Sequence, residues 1–131
     1  MAANTNTFVI DSSYLLAYLL PDENITEVQN FFDQYKYKKI RLVAPQILPF
    51  EIFNGLKSGI LSKRVDKNLA QELGKTFLRL PIALLEIDVL EVFDSSIKEK
   101  LSFYDAAYVY LARKYNTQLL SLDQKLISKT A

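Results

Sequence analysis

Cysteine and histidine are both missing from the 131 residues. Without cysteine there is no disulfide framework, and the chain is expected in a reducing cytoplasm. Zinc sites built on Cys or His are excluded, as are His-based triads and His general bases. Any chemistry must come from carboxylates, hydroxyls, lysines or a metal held by oxygen. Glycine (3) and proline (4) are scarce, so little punctuates the chain, which suits a helix-rich fold. A large surplus of either charge is missing too. Sixteen basic against 15 acidic residues leave a net charge of +1, which argues against a polybasic membrane or histone-like binder while leaving room for a local nucleic-acid groove. The longest apolar runs, such as "YLLAYLL", fall far short of the ~20 residues a membrane span needs. "MAANTNTF" has neither a basic n-region nor an apolar stretch, so no signal peptide is expected there. Low-complexity segments and internal repeats are not evident.

What is present is apolar material, 50% of the chain, enough for a real core. The length predicts one domain, residues 1–131. Short apolar runs at Thr7–Ile10, Arg41–Pro45, Ile82–Ile87 and Gln118–Leu122 read as strands covered on both faces. Between them lie helical patterns at Ser12–Leu20, Asn24–Tyr35, Gln46–Ser58, Asp66–Leu80, Val89–Lys100 and Phe103–Lys114, with a short Asp123–Ser128 at the end. Pro49 belongs in a first helical turn and blurs the start of the third helix. Strands alternating with helices predict an α/β fold, a three-layer α/β/α domain with a central parallel sheet of four to five short strands. Sites in such sheets form outside the carboxyl ends of the strands.

Four acids can meet on that rim. Asp11 ends the first strand and Asp123 the fourth. Glu51 lies about one and a half turns into the third helix, and Asp105 in the first turn of the sixth. Each also has an ordinary structural role open to it. Asp11 and Asp123 can cap helices, Asp105 fits a capping box in "SFYD", and Glu51 can be a solvated helix residue, although "ILPFEIF" surrounds it with apolar side chains. Together the four point to a cleft of crowded carboxylates, whose repulsion a divalent cation removes. With oxygen donors only, that cation is hard, Mg2+ or Mn2+, and such a centre activates water against a phosphodiester. Ser13 and Ser121, each two residues from an acid, can support a ligand or a metal-bound water, or serve as cap and strand-end hydroxyls.

"FVIDSSYLLAYL", "APQILPFEIFNGL" and "SFYDAAYVYLARKYNTQLLSLDQKL" together resemble the PIN domain family over nearly the whole chain. The helix opening Tyr-Asp-Ala-Ala, followed by an apolar strand ending in Ser-x-Asp, is similar to the VapC-type toxin branch. The resemblance implies a metal-dependent endoribonuclease, the toxin of a toxin–antitoxin pair. It implies an acidic quartet of Asp11, Glu51, Asp105 and Asp123 holding one or two Mg2+ or Mn2+ ions, with Asp11 and Asp105 as direct ligands and Asp123 acting through water. It also implies a homodimer and a small antitoxin partner. A PIN nuclease of RNA processing without an antitoxin, and a binding module that kept the fold without the activity, stay open beside it. A response-regulator-like phosphoacceptor is disfavoured, because the paired acids after the first strand and the Lys after the last are not evident.

For RNA phosphates the expected contacts are Lys57, Lys63, Arg64 and Lys67, flanking the third and fourth helices. The basic stretch "YKYKKIR" (Tyr35–Arg41) links a helix to the amino end of a strand, the rim opposite the acids, and reads as a solvated loop. Tyr14, Tyr18, Phe31 and Phe32 are expected mainly in the core, with a contribution to a dimer or partner surface as the alternative.

Overall fold

A computed structural model describes residues 6–35 and 39–130. The elements run β1 (Thr7–Ile10), α1 (Ser12–Leu19), α2 (Thr26–Tyr35), β2 (Arg41–Pro45), α3 (Leu48–Leu61), α4 (Lys67–Arg79), β3 (Ile82–Leu85), α5 (Val89–Glu99), α6 (Phe103–Lys114), β4 (Gln118–Leu120) and α7 (Gln124–Ser128). Residues 36–38, within the basic stretch "YKYKKIR", lie outside the described residues.

The four strands form one wholly parallel sheet in the order β3-β2-β1-β4. The chain builds outward from β1 to β3, then crosses back to lay β4 on the other side of β1. The winding therefore reverses between β1 and β4, and in open parallel sheets the ligand crevice lies outside the carboxyl ends at such a switch point. Val9, Ile10, Leu42, Val43 and Leu119 are buried within the sheet, as expected of strands covered on both faces.

Helix starts are written in short polar side chains. Asp11, Asp66, Asp88, Ser102 and Asp123 each accept a backbone N–H from the first turn of the helix they precede, which satisfies donors that have no partner inside the helix. α3 starts differently. Its start at Ile47 has no side-chain cap, and Pro49 sits in the first turn, where a missing N–H costs nothing. The expected start at Gln46 is consequently two residues early.

α1 and α3 pack closely on one side of the sheet. A Cβ added at Gly55 would stand 2.5 Å from Leu16 Cδ1, so this glycine permits the approach. Glu51 lies one turn before Gly55 on the same face of α3. At their far ends the two helices are tied by Arg64, whose guanidinium donates to Asp22 at 2.8 and 2.9 Å and to Glu23 at 2.9 Å.

The aromatics of α1 and α2 belong to the core. Tyr14 and Phe32 are buried, Tyr18 stacks on Phe32 with ring centroids 3.9 Å apart, and Phe31 meets Phe8 and Phe32 edge-on at 5.5 and 5.4 Å. Tyr18 and Phe31 remain partly exposed at the edge of this cluster. We expect Phe32→Ala to lower stability by about 3–5 kcal/mol, the cost of emptying a packed aromatic site, as read by urea denaturation. A cost below about 1 kcal/mol would return the residue to the surface.

Candidate active site

The carboxyl ends of β1 and β4 deliver two acids to the switch point, and α3 and α6 bring two more. Asp11 is 6% exposed. Its Oδ1 accepts the Tyr14 N–H at 3.0 Å and the Ser13 hydroxyl at 2.7 Å, and the Ser121 hydroxyl also bonds to it. Burial raises its pKa above the ordinary carboxylate value, these hydrogen bonds oppose the rise, and the charge of Asp105 adds to it. Asp11 therefore caps α1 while its charge is also felt by Glu51.

Glu51 is half-buried, and its Oε1 accepts a 2.6 Å hydrogen bond from the hydroxyl of Tyr108, a fully buried side chain on α6. Ser12 also bonds to the Glu51 carboxylate. Burial raises this pKa as well; the Tyr108 bond lowers it, and Asp11 and Asp105 each push it up. The Tyr108 hydroxyl is itself held well above its usual range, first by burial and then by its bond to Glu51, so it stays a neutral donor. Asp105 has its pKa raised by partial burial and by Asp123, against a bond from Ser102. Asp123 is exposed, and its Oδ1 accepts the N–H groups of Lys125 and Leu126.

The mutual charge effects place the four acids within one electrostatic neighbourhood. Among the described residues, however, no three acids stand close enough together to hold a cation as they are. The donors nevertheless fit a hard divalent ion in kind. All are carboxylates, three are pushed toward protonation by burial and by one another, and at Asp11 and Asp123 the backbone bonds fall on a single oxygen. Ser13 and Ser121 knit the rim together. Ser13 Oγ accepts the Leu122 N–H at 3.1 Å while donating to Asp11, and Ser121 Oγ accepts the Asp123 N–H at 3.0 Å.

Two contributors escaped the sequence reading, Tyr108 and Ser12. The signal for Tyr108 was its place three residues after Asp105, on the same face of α6. The basic candidates lie on or after the C-terminal half of α3. Lys57, Lys63 and Lys67 are exposed, and Arg64 is engaged by Asp22 and Glu23. Lys63 and Lys67 follow the end of α3, whose last residue lies ten positions after Glu51, about 15 Å along the axis. A larger hollow of about 740 Å3, lined by Glu86, Asp88, Glu91, Arg113 and Lys114 among others, holds none of the four acids.

This fold is that of a PIN domain. The PIN domain model matches residues 8–131, and the chain belongs to that family. It is similar to Ribonuclease VapC3 of Pyrobaculum aerophilum, at 26% identity over 121 residues, 92% of each chain. The crystal structure of PAE2754 from the same organism superposes with a TM-score of 0.76 at 26% identity, covering 98% of this chain and 82% of that one. Mycobacterium tuberculosis VapC20, described as a sarcin-ricin loop cleaving toxin, shares the fold with a TM-score of 0.66 at 13% identity, over 92% of this chain and 93% of that one.

The raised pKa values carry a sign. A carboxyl whose folded pKa exceeds its unfolded one is disfavoured in its charged form by folding. That penalty is absent well below the ordinary values of 3.8 and 4.5 and grows as pH rises through the folded pKa. Metal-free Asp105→Asn should therefore melt at or above wild type at about pH 7, with the gain gone below pH 3.8. Were Asp105 only a helix-start charge, the same change would cost about 0.3–1 kcal/mol at neutral pH. Tyr108→Phe should act oppositely, destabilising by about 1–3 kcal/mol because Glu51 loses its buried donor. Thermal melts in EDTA across pH decide both.

Proposed function

We propose that the chain is a Mg2+- or Mn2+-dependent endoribonuclease, the toxin of a type II toxin–antitoxin pair. The observation that carries this reading is the gathering of Asp11, Glu51, Asp105 and Asp123 at the β1/β4 switch point of a PIN domain. The similarity to Ribonuclease VapC3 supports RNA as the substrate.

When bound, a divalent ion supplies a water of lowered pKa and offsets charge on the phosphodiester. The chain does the rest. Asp11 and Asp105 would be the direct ligands, Glu51 would complete the cluster, and Asp123 would act through water. Ser13 and Ser121 fix the orientation of Asp11 by hydrogen bonds, so the carboxylate does not have to be ordered at the moment of binding. Tyr108 does the same for Glu51. A side-chain general base is not needed, which agrees with a chain lacking histidine. Lys57, Lys63 and Lys67 steer the RNA backbone; Arg64 is left out, since its charge is already paired.

Among the described residues no helix is long and apolar enough to cross a membrane. A cytoplasmic location is part of the toxin reading, and a chain without cysteine suits that reducing compartment. The antitoxin lies across the mouth of the site and presents a basic side chain to the acids. The homodimer uses the outer face of α5, where Val89, Leu90, Phe93 and Ile97 are 51–75% exposed at helical spacing.

Purified protein should cut a pool of single-stranded RNAs in Mg2+ or Mn2+ and stop in EDTA, and Asp11→Asn and Asp105→Asn should abolish cutting. Cleavage that continues in EDTA overturns the metal reading. Wild type should also gain stability from Mg2+ by RT ln(1 + [Mg2+]/Kd), about 2.7 kcal/mol at a hundredfold excess over Kd, and Asp105→Asn should lose most of that gain. For the dimer, Phe93→Glu should shift the light-scattering mass to that of a monomer without unfolding the chain.

A further inference from the structure

Beside the carboxylates lies a cavity that none of the chemistry above uses. It has a volume of about 190 Å3 and sits where the carboxyl ends of β2 and β3 meet the first turn of α6. Ile47, Leu85 and Ile87 supply apolar walls, Phe103 and Tyr104 supply two rings, and Gln46 supplies an amide. The rings stand perpendicular, at 89°, with centroids 6.5 Å apart. Tyr104 is 53% exposed, so its ring is open to a ligand.

We propose that this cavity receives one unstacked nucleobase of the RNA, next to the phosphodiester held at the carboxylates, and so selects the cleavage site. This inference rests on the ribonuclease reading above. Position comes first. α6 turns about 100° per residue, so Tyr104 and Asp105 are neighbours around its first turn, one facing the cavity and the next lying among the acids. The cavity and the acids thus flank the same turn of α6, and a strand crossing that turn presents a phosphate to one side and a base to the other. Size comes second. The volume lies below the ~300–1,000 Å3 of a drug-sized cleft and suits a single planar ring system. Charge comes third. None of the eight lining residues is charged, so the cavity suits the uncharged part of a nucleotide and not its phosphate. An aromatic wall stacks on a base face of any identity, and an amide reads a base edge by hydrogen bonds, as proteins do with bases splayed out of single strands.

The test uses single-stranded RNA oligomers spanning a cleaved site, with each of the four bases at the position beside the cut and, in a fifth oligomer, an abasic ribose there. The abasic oligomer should be cut with kcat/KM lower by about 5- to 150-fold, the range of one base–aromatic stack. Tyr104→Ala should lose a similar factor on the intact oligomer and nothing further on the abasic one, while Tyr104→Phe keeps wild-type activity. Gln46→Ala should flatten the preference among the four bases. An abasic oligomer cut as fast as its parent overturns the proposal, as does an equal loss from Tyr104→Ala on both. A second readout is independent of cleavage. Asp11→Asn protein without metal should show the Ile47 and Ile87 methyl resonances shifting with the intact oligomer and not with the abasic one. RNA that binds and leaves those methyls unmoved, or a cavity that responds only to an apolar peptide side chain, also overturns it. Base-dependent methyl shifts in a protein that cuts no RNA would sustain the cavity and sink the nuclease reading, whereas cleavage indifferent to the base would do the reverse.

Discussion

Folding brings like charges together on one rim of the sheet, and much of the local structure serves to hold them there. Asp11 is buried against the end of β1, Glu51 is half-buried on α3, and Asp105 is partly buried at the start of α6. Asp105 raises the pKa of both Asp11 and Glu51, and Asp11 raises that of Glu51. Hydroxyl donors keep this arrangement tolerable. Ser13 and Ser121 bond to Asp11, Ser12 and Tyr108 to Glu51, and Ser102 to Asp105. Hydrogen bonds to a charged carboxylate are among the stronger kind, and here they oppose the desolvation cost without cancelling it. What remains is a standing electrostatic penalty that a bound cation would remove, which sets binding against metal-free stability.

The geometry of that rim depends on how α1 and α3 meet. Gly55 lets the helices approach at mid-length, and Arg64 joins their far ends through the Asp22–Glu23 turn. Glu51 lies on the near end of the same face, so helix packing remote from the acids decides where its carboxylate can go. The Arg64 pairs are solvent-exposed and contribute little to stability by themselves. Their consequence is positional, and they take up a cation that the sequence would otherwise offer to RNA. Arg64 and Asp22 lie 42 residues apart along the chain, so no local pattern reveals them.

The layers and the parallel sheet were legible because strands and helices have short-range signatures, and the four acids could be proposed because they stand at strand ends and helix starts. Thr7–Ile10 and Arg41–Pro45 appear with the bounds that their apolar runs imply. The other two strands stop short of their apolar runs. β3 ends at Leu85 and not Ile87, and β4 at Leu120 and not Leu122. In both cases a residue beyond the strand has another place to go: Ile87 walls the uncharged cavity, and the Leu122 N–H turns to Ser13 Oγ. Hydrophobic pattern says that a residue seeks burial; it does not say whether a ladder or a loop provides it. The aromatics of α1 and α2 carry the same lesson, since abundance alone could not reveal that they pack on one another. Tyr108 was hidden differently, because a tyrosine in an apolar helix reads as core until its hydroxyl is seen to meet Glu51.

α6 unites these features. Its first turn separates an acidic cleft from an uncharged cavity, its buried face carries the donor that holds Glu51, and Ser102 both caps it and bonds to Asp105. Ala106, Ala107, Val109, Leu111 and Ala112 bury the remainder of the helix against its neighbours. A helix so fixed cannot slide to relieve the crowding at its own first turn, because close-packed interiors resist displacement. The rigidity that makes the crowded carboxylates costly is therefore the same rigidity that keeps Tyr104 and Asp105 in fixed relation, and it would set the spacing between a base in the proposed cavity and its phosphate.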